Sequence, residues 1–142
     1  MLNIPRIKRI FRSLFASSIK SDLSTLKQEA RETWIVLDTL VNNSYLEYMP
    51  LKHLIPNLEN HLRQWVEKKY FIEKLKINLR AIDYGQYLRT EEALSYIISS
   101  SILTLREIKI INLQKISEAM IREDIKKYIL NWMAFLKDVE EK

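Results

Sequence analysis

Apolar residues recur along most of this chain at intervals of three and four, the spacing of helices that bury one face. In residues 5–19, Ile7, Ile10, Phe11, Leu14 and Phe15 keep that spacing, and Pro5 suits a first helical turn. Ser17-Ser18 and Ser21-Asp22 suggest a break, after which a helix over about 24–42 carries Leu26, Ala30, Trp34, Leu37 and Val41 on its inner stripe. Asn42-Asn43-Ser44 ends it. A short helix follows around 50–55, with Pro50 early in it and Leu51, Leu54 and Ile55 apolar, and Pro56-Asn57 reads as a break followed by an N-cap. The next helix, about 57–69, turns Leu58, Leu62, Trp65 and Val66 inward and Asn57, Asn60, His61, Gln64 and Lys68 outward.

From Lys74 to Arg80 the period changes. Leu75, Ile77 and Leu79 alternate with Lys74, Lys76, Asn78 and Arg80, the pattern of a half-exposed strand. Asp83-Tyr84-Gly85 is a turn signal that holds the single glycine, and Gln86-Tyr87-Leu88-Arg89 can return as the partner strand. Leu75 and Leu79 are also four apart, so a helical segment is the competing reading. Thr90, with Glu91 and Glu92, caps a helix that runs to about Lys115 on Leu94, Ile98, Ser101, Leu105 and Ile108. A last helix starts near Ser117 and uses Ile121, Ile125, Ile129, Trp132, Leu136 and Val139; with no Gly or Pro between the two, one bent helix is the alternative.

The fold class expected from this order is mainly α with a small β-hairpin. A winged helix-turn-helix core, residues 23–90, lies between a basic amphipathic N-terminal helix, 1–22, and C-terminal helices, 91–142, within one domain. Such a core suits duplex DNA: a helix enters the major groove and a basic hairpin reaches the backbone or minor groove. The expected DNA-binding residues are Asn57, Asn60, His61, Gln64 and Lys68 on the recognition helix and Lys74, Lys76 and Arg80 on the wing.

His61 to Glu73 (HLRQWVEKKYFIE), followed by Tyr87 to Ala93 (YLRTEEA), resembles winged-helix regulators of the MarR and SarA-like kind. In those regulators a similar helix end leads into the wing, and a tyrosine-leucine-threonine-glutamate element opens the following helix. The resemblance implies a transcriptional regulator that binds a pseudo-palindromic site as a homodimer, with residues 5–19 and 91–140 as the dimerisation helices. The chain departs from the pattern at Tyr70, where glycine is usual. It also lacks the wing's Asp-x-Arg element, since Arg80 precedes Asp83.

Composition narrows the remaining chemistry. The 142 residues include one glycine, three prolines and no cysteine, so phosphate-cradling loops, disulfides and thiolate metal sites are not expected. His53 and His61 lack a metal-ligand spacing, Ser99-Ser100-Ser101 lacks a base, and Glu118, Glu123 and Asp124 form no acid–base pair. Neither an enzyme, nor a metal or cofactor site, is therefore expected. Trp34, Trp65 and Trp132 all fall on apolar stripes and read as core. No apolar run is long enough to span a membrane and no signal peptide is evident, so the expected location is cytoplasmic.

Charge adds one rival to DNA, and the apolar stripes add another. Arg6, Lys8, Arg9, Arg12 and Lys20 give residues 1–20 five cations and no carboxylate, which accounts for the whole net charge of +5. Beside Ile7, Ile10, Phe11 and Phe15 these cations also fit a helix lying on anionic lipid. The other rival is an all-helical protein-interaction module, a small subunit or inhibitor with no direct DNA role. Residues 74–89 discriminate: a hairpin there supports DNA, and a continuous helix supports the bundle.

Overall fold

The computed structural model describes residues 4–142, with side chains from Arg6 onward, and the first three residues of the expected N-terminal arm lie outside that range. α1 runs unbroken from Ile4 to Asn42; α2 (Tyr45–Tyr48), α3 (Leu51–Glu67), α4 (Lys69–Ile82), α5 (Tyr84–Leu113) and α6 (Glu118–Glu141) follow. The described residues contain no strand. The architecture is all-α.

α5 is the central element, touching α3, α4 and α6, while α1 lies along α6 and α4. α5 and α6 are antiparallel, joined through Ser101 to Trp132 and Tyr96 to Phe135. α1 and α6 are antiparallel as well, with Lys137 Nζ 5.0 Å from the Trp34 ring centroid and Arg31 3.9 Å from Glu140. The core is built from the inner stripes that the periodicity marks: Leu26, Ala30 and Leu37 of α1, Leu58, Leu62 and Trp65 of α3, and Ile125, Ile129, Trp132, Leu136 and Val139 of α6 are buried. Each fully buried side chain of that size contributes about 1.5–3 kcal/mol against the entropy of ordering the chain.

Polar groups that enter this core are paired. Trp65 donates its indole N–H to Thr33 Oγ1 at 3.0 Å, and Lys68 Nζ lies 2.6 Å from Glu29, so both contacts tie the end of α3 to α1. Arg122 of α6 donates to the carbonyls of Leu46 (3.1 Å) and Met49 (2.8 Å), closing two carbonyls that the short α2 cannot satisfy internally. Ser117 caps α6 by accepting from the Met120 N–H at 3.3 Å. α5 and α6 are thus two helices and not one bent helix.

Five expectations from the sequence are corrected. The hairpin is absent, and with it the winged helix-turn-helix: residues 69–82 are helix α4, on which Leu75 and Leu79 are 2% and 1% exposed but Ile77 is 70% exposed. A strand would have buried all three on one face. The burial pattern instead runs Ile72, Leu75, Leu79, a spacing of three and four. The turn signal at 83–85 is a helix junction, where Asp83 (φ −146°, ψ 80°) breaks the helical backbone and its carboxylate accepts from the Gln86 N–H at 3.1 Å. Asp83 therefore caps α5, and Thr90 sits inside α5, buried, with its hydroxyl donating to the Gln86 carbonyl at 2.9 Å.

The remaining two corrections concern breaks. Pro56 lies within α3, which extends back to Leu51, so 50–55 is its first part and not a separate helix. Proline there removes one N–H and leaves the rest of the ladder to hold the helix. Ser17, Ser18, Ser21 and Asp22 do not interrupt α1. Each such residue costs only about half a kcal/mol in a helix, too little to stop one that tertiary packing continues.

Candidate interaction surfaces

The residues expected to touch DNA lie on two helices, Asn57 to Gln64 on α3 with Lys68 at its end, and Lys74, Lys76 and Arg80 on α4, and they differ in what they contact. Asn57, Asn60 and Gln64 are exposed on the outer side of α3, and His61 is half-buried, its pKa lowered from 6.5 by desolvation. Lys68 is committed to Glu29 and also lies 5.6 Å from the Trp65 ring centroid. Lys74 is exposed on α4, but Lys76 donates to Ser95 Oγ at 2.7 Å and the Arg80 guanidinium lies 5.9 Å from the Tyr87 ring centroid. Three of these four cations, Lys68, Lys76 and Arg80, thus contact a neighbouring helix.

The outward face of α5 is different in kind. Leu94, Ile98, Ser101 and Ile108 fill the core, yet Leu88, Tyr96, Leu103, Ile110 and Leu113 are exposed on the opposite side. A helix that is apolar on both faces has a second surface to bury. From Tyr96 the exposed positions run Tyr96, Ser99, Leu103, Arg106, Ile110, Leu113, alternating steps of three and four. That is the seam spacing of a coiled coil, in which knobs at the first and fourth heptad positions meet a facing helix. Ser99 already donates its hydroxyl to the Ser95 carbonyl at 3.1 Å, so covering it would strand no donor. Tyr96 meets Phe135 edge-on, 6.2 Å between centroids, and a shallow groove of about 190 Å³ runs from Tyr96 past Ser99 and Leu103 to Asn131 and Phe135.

The sequence expectation assigned residues 91–140 to a dimer but named only the inner stripe of α5, not these outer residues. The signal was there in the interleaving of two stripes on one helix, which leaves few charged positions between Ala93 and Ile111.

A second apolar face lies on the first part of α1. No residue from Arg6 to Ser18 is buried, and Ile19 is the first α1 side chain in the core. Phe11 and Leu14 are 66% and 62% exposed, and Ile10 and Phe15 are exposed beside them. The opposite, basic side overlooks an open crevice of about 720 Å³ lined by Arg9, Arg12, Ser13, Ala16, Ala81 and Ile82. A neighbouring crevice of about 490 Å³ carries Lys20 and Lys27 against Asp83 and Gln86. Desolvation and then the Arg89 guanidinium lower the Lys27 pKa below its ordinary value.

Among the described residues no helix is long and apolar enough to cross a membrane, and no cluster of three or more His, Asp or Glu side chains is placed to hold a metal ion. Compared with protein-family models, with curated proteins and with solved structures, the chain matches none.

Proposed function

We propose that the protein is a helical interaction module that works by docking, without catalytic chemistry of its own, and that the outward face of α5 is its docking surface. One observation carries this reading: the exposed seam Tyr96, Ser99, Leu103, Arg106, Ile110, Leu113 on a helix whose other face is already core. The helical state of residues 74–89 favours the same reading, because it replaces a DNA-reaching hairpin with part of the bundle.

The occupant that fits the seam is the same seam of a second copy, run antiparallel. About a twofold axis between Thr104 and Leu105, Tyr96 faces Leu113 of the partner subunit, Ser99 faces Ile110 of the partner subunit, and Leu103 faces Arg106 of the partner subunit. Small meets large at the second pair. At the third, the two guanidiniums stand apart and lay their stems over leucine. A parallel pairing would place Arg106 against its own copy.

The chain has no cysteine, which allows a direct test by disulfide trapping. Ser99→Cys/Ile110→Cys in one chain is expected to give a covalent dimer on mild oxidation, whereas Ser99→Cys alone gives little. Equal trapping of the single and double variants, or none in either, would remove the antiparallel seam.

A further inference from the structure

We infer that the first part of α1, residues 6–18, is a surface-seeking helix that lies on an anionic lipid bilayer. The inference goes beyond the α5 seam and rests on a different part of the molecule. At about 100° per residue, the mean direction of Ile7, Ile10, Phe11, Leu14 and Phe15 is about a third of a turn from that of Ile19, Leu23, Leu26, Ala30 and Leu37, the residues that face the bundle. The arm's apolar stripe is therefore not the core stripe running on past the end of the bundle. It points somewhere else.

The same side of α1 changes character where the core begins. Following the arm's apolar stripe along the helix, the positions after Phe15 are Ser18, Ser21, Thr25, Gln28 and Glu32, all exposed and polar. Along this side the arm's apolar stretch is cut off by about five turns of polar residues, and exposed apolar side chains return only at Ile35 and Val36. The arm's stretch spans about 20 Å of helix, too little to cross a bilayer and enough to lie in its interface.

Charge selects the occupant. Residues 1–20 hold Arg6, Lys8, Arg9, Arg12 and Lys20 and no carboxylate; Asp22 is the first. On the helix, Arg6 and Lys8 border the apolar arc on its two sides, where long basic side chains reach headgroup phosphates as the arc enters the acyl boundary. A second copy of the arm would bring like charges together. A nucleic acid would meet the cations but leave two phenylalanines, an isoleucine and a leucine in water. An anionic bilayer takes both halves of the surface at once.

The test is co-sedimentation of the full chain with phosphatidylcholine vesicles that contain phosphatidylserine, against phosphatidylcholine alone, over a salt series. Two variants are compared with wild type: Phe11→Ser/Leu14→Ser, and Arg6→Gln/Lys8→Gln/Arg9→Gln/Arg12→Gln. None of these side chains is buried, so circular dichroism and thermal unfolding should match wild type. The expected result is salt-sensitive binding to the phosphatidylserine vesicles. It should weaken at least tenfold when the two apolar residues are removed and about fivefold per cation removed. Three results would overturn the inference. One is a chain that stays in the supernatant. Another is binding that survives Phe11→Ser/Leu14→Ser but not the charge variant, which marks a general polyanion site. The third is vesicle-free self-association that depends on Phe11 and Leu14, which gives the arm to a second copy. None of them bears on the α5 seam, whose residues the variants leave intact.

Discussion

Trp132 donates its indole N–H to the hydroxyl oxygen of Ser101 across 2.9 Å, with both residues fully buried where α5 meets α6. Ser101 donates its own O–H to the Ile97 carbonyl, so one small hydroxyl satisfies the largest side chain in the core. The contact shows what the serine-rich stretch of α5 is for: small residues let α6 approach, and one of them accepts from it.

Removing the acceptor should be costly. Ser101→Ala leaves the indole N–H buried without a partner and is expected to destabilise by about 1–3 kcal/mol. Trp132→Phe loses packing as well as the bond. In the double variant the two losses should fall short of additive, because the hydrogen bond is removed only once. Urea unfolding of the four proteins measures this coupling.

The helices and their inner stripes were legible in the sequence because burial imposes the same three-and-four spacing wherever a helix meets a core. Leu58, Leu62 and Trp65, or Ile125, Ile129 and Trp132, leave no other reading. Residues 74–80 were not legible, because Leu75 and Leu79 satisfy both periods and only the exposure of Ile77 decides between them. Asp83-Tyr84-Gly85 was equally double: an aspartate followed by a glycine fits a turn, and it fits a helix junction with an N-cap. Breaks were overread at Ser17-Ser18 and at Pro56, where local propensity is weaker than the packing on either side. The exposed seam of α5 lay under its buried stripe and became visible only when the buried one was assigned to neighbours.

The helical state of residues 69–90 makes a substitution prediction of its own. Leu75→Ala should cost about 2–5 kcal/mol, whereas Ile77→Glu should change stability by less than about 0.5 kcal/mol. In a hairpin the two would cost alike. Gly85→Ala should be tolerated or stabilise by up to about 1 kcal/mol: the glycine lies in the first turn of α5, has no left-handed φ, and an added Cβ meets only ordinary contacts with Asp83 and Arg89 at 3.7 and 3.6 Å. Thermal melts of the three variants decide the matter.

His61 gives the fold a mild acid sensitivity. Desolvation lowers its folded pKa below 6.5, so the unfolded chain binds the proton more tightly than the folded one. Its contribution is complete above 6.5 and is lost as pH falls below that value, until the folded imidazole protonates too. Comparing unfolding midpoints of wild type and His61→Gln from about pH 7.5 to about pH 5 isolates this effect, since only the difference between the two carries the imidazole. The gap should move against wild type on the acid side and stay level on the neutral side.

The most direct test of the account is sedimentation velocity over a range of concentrations, comparing wild type with Leu103→Glu/Ile110→Glu. Both side chains are about half exposed, at 52% and 51%, so the variant keeps the bundle while placing two carboxylates in the seam. A wild-type dimer that dissociates to a folded monomer in the variant is the result predicted. A wild type that stays monomeric throughout, or a dimer that the variant leaves unchanged, would contradict the assignment of the α5 face.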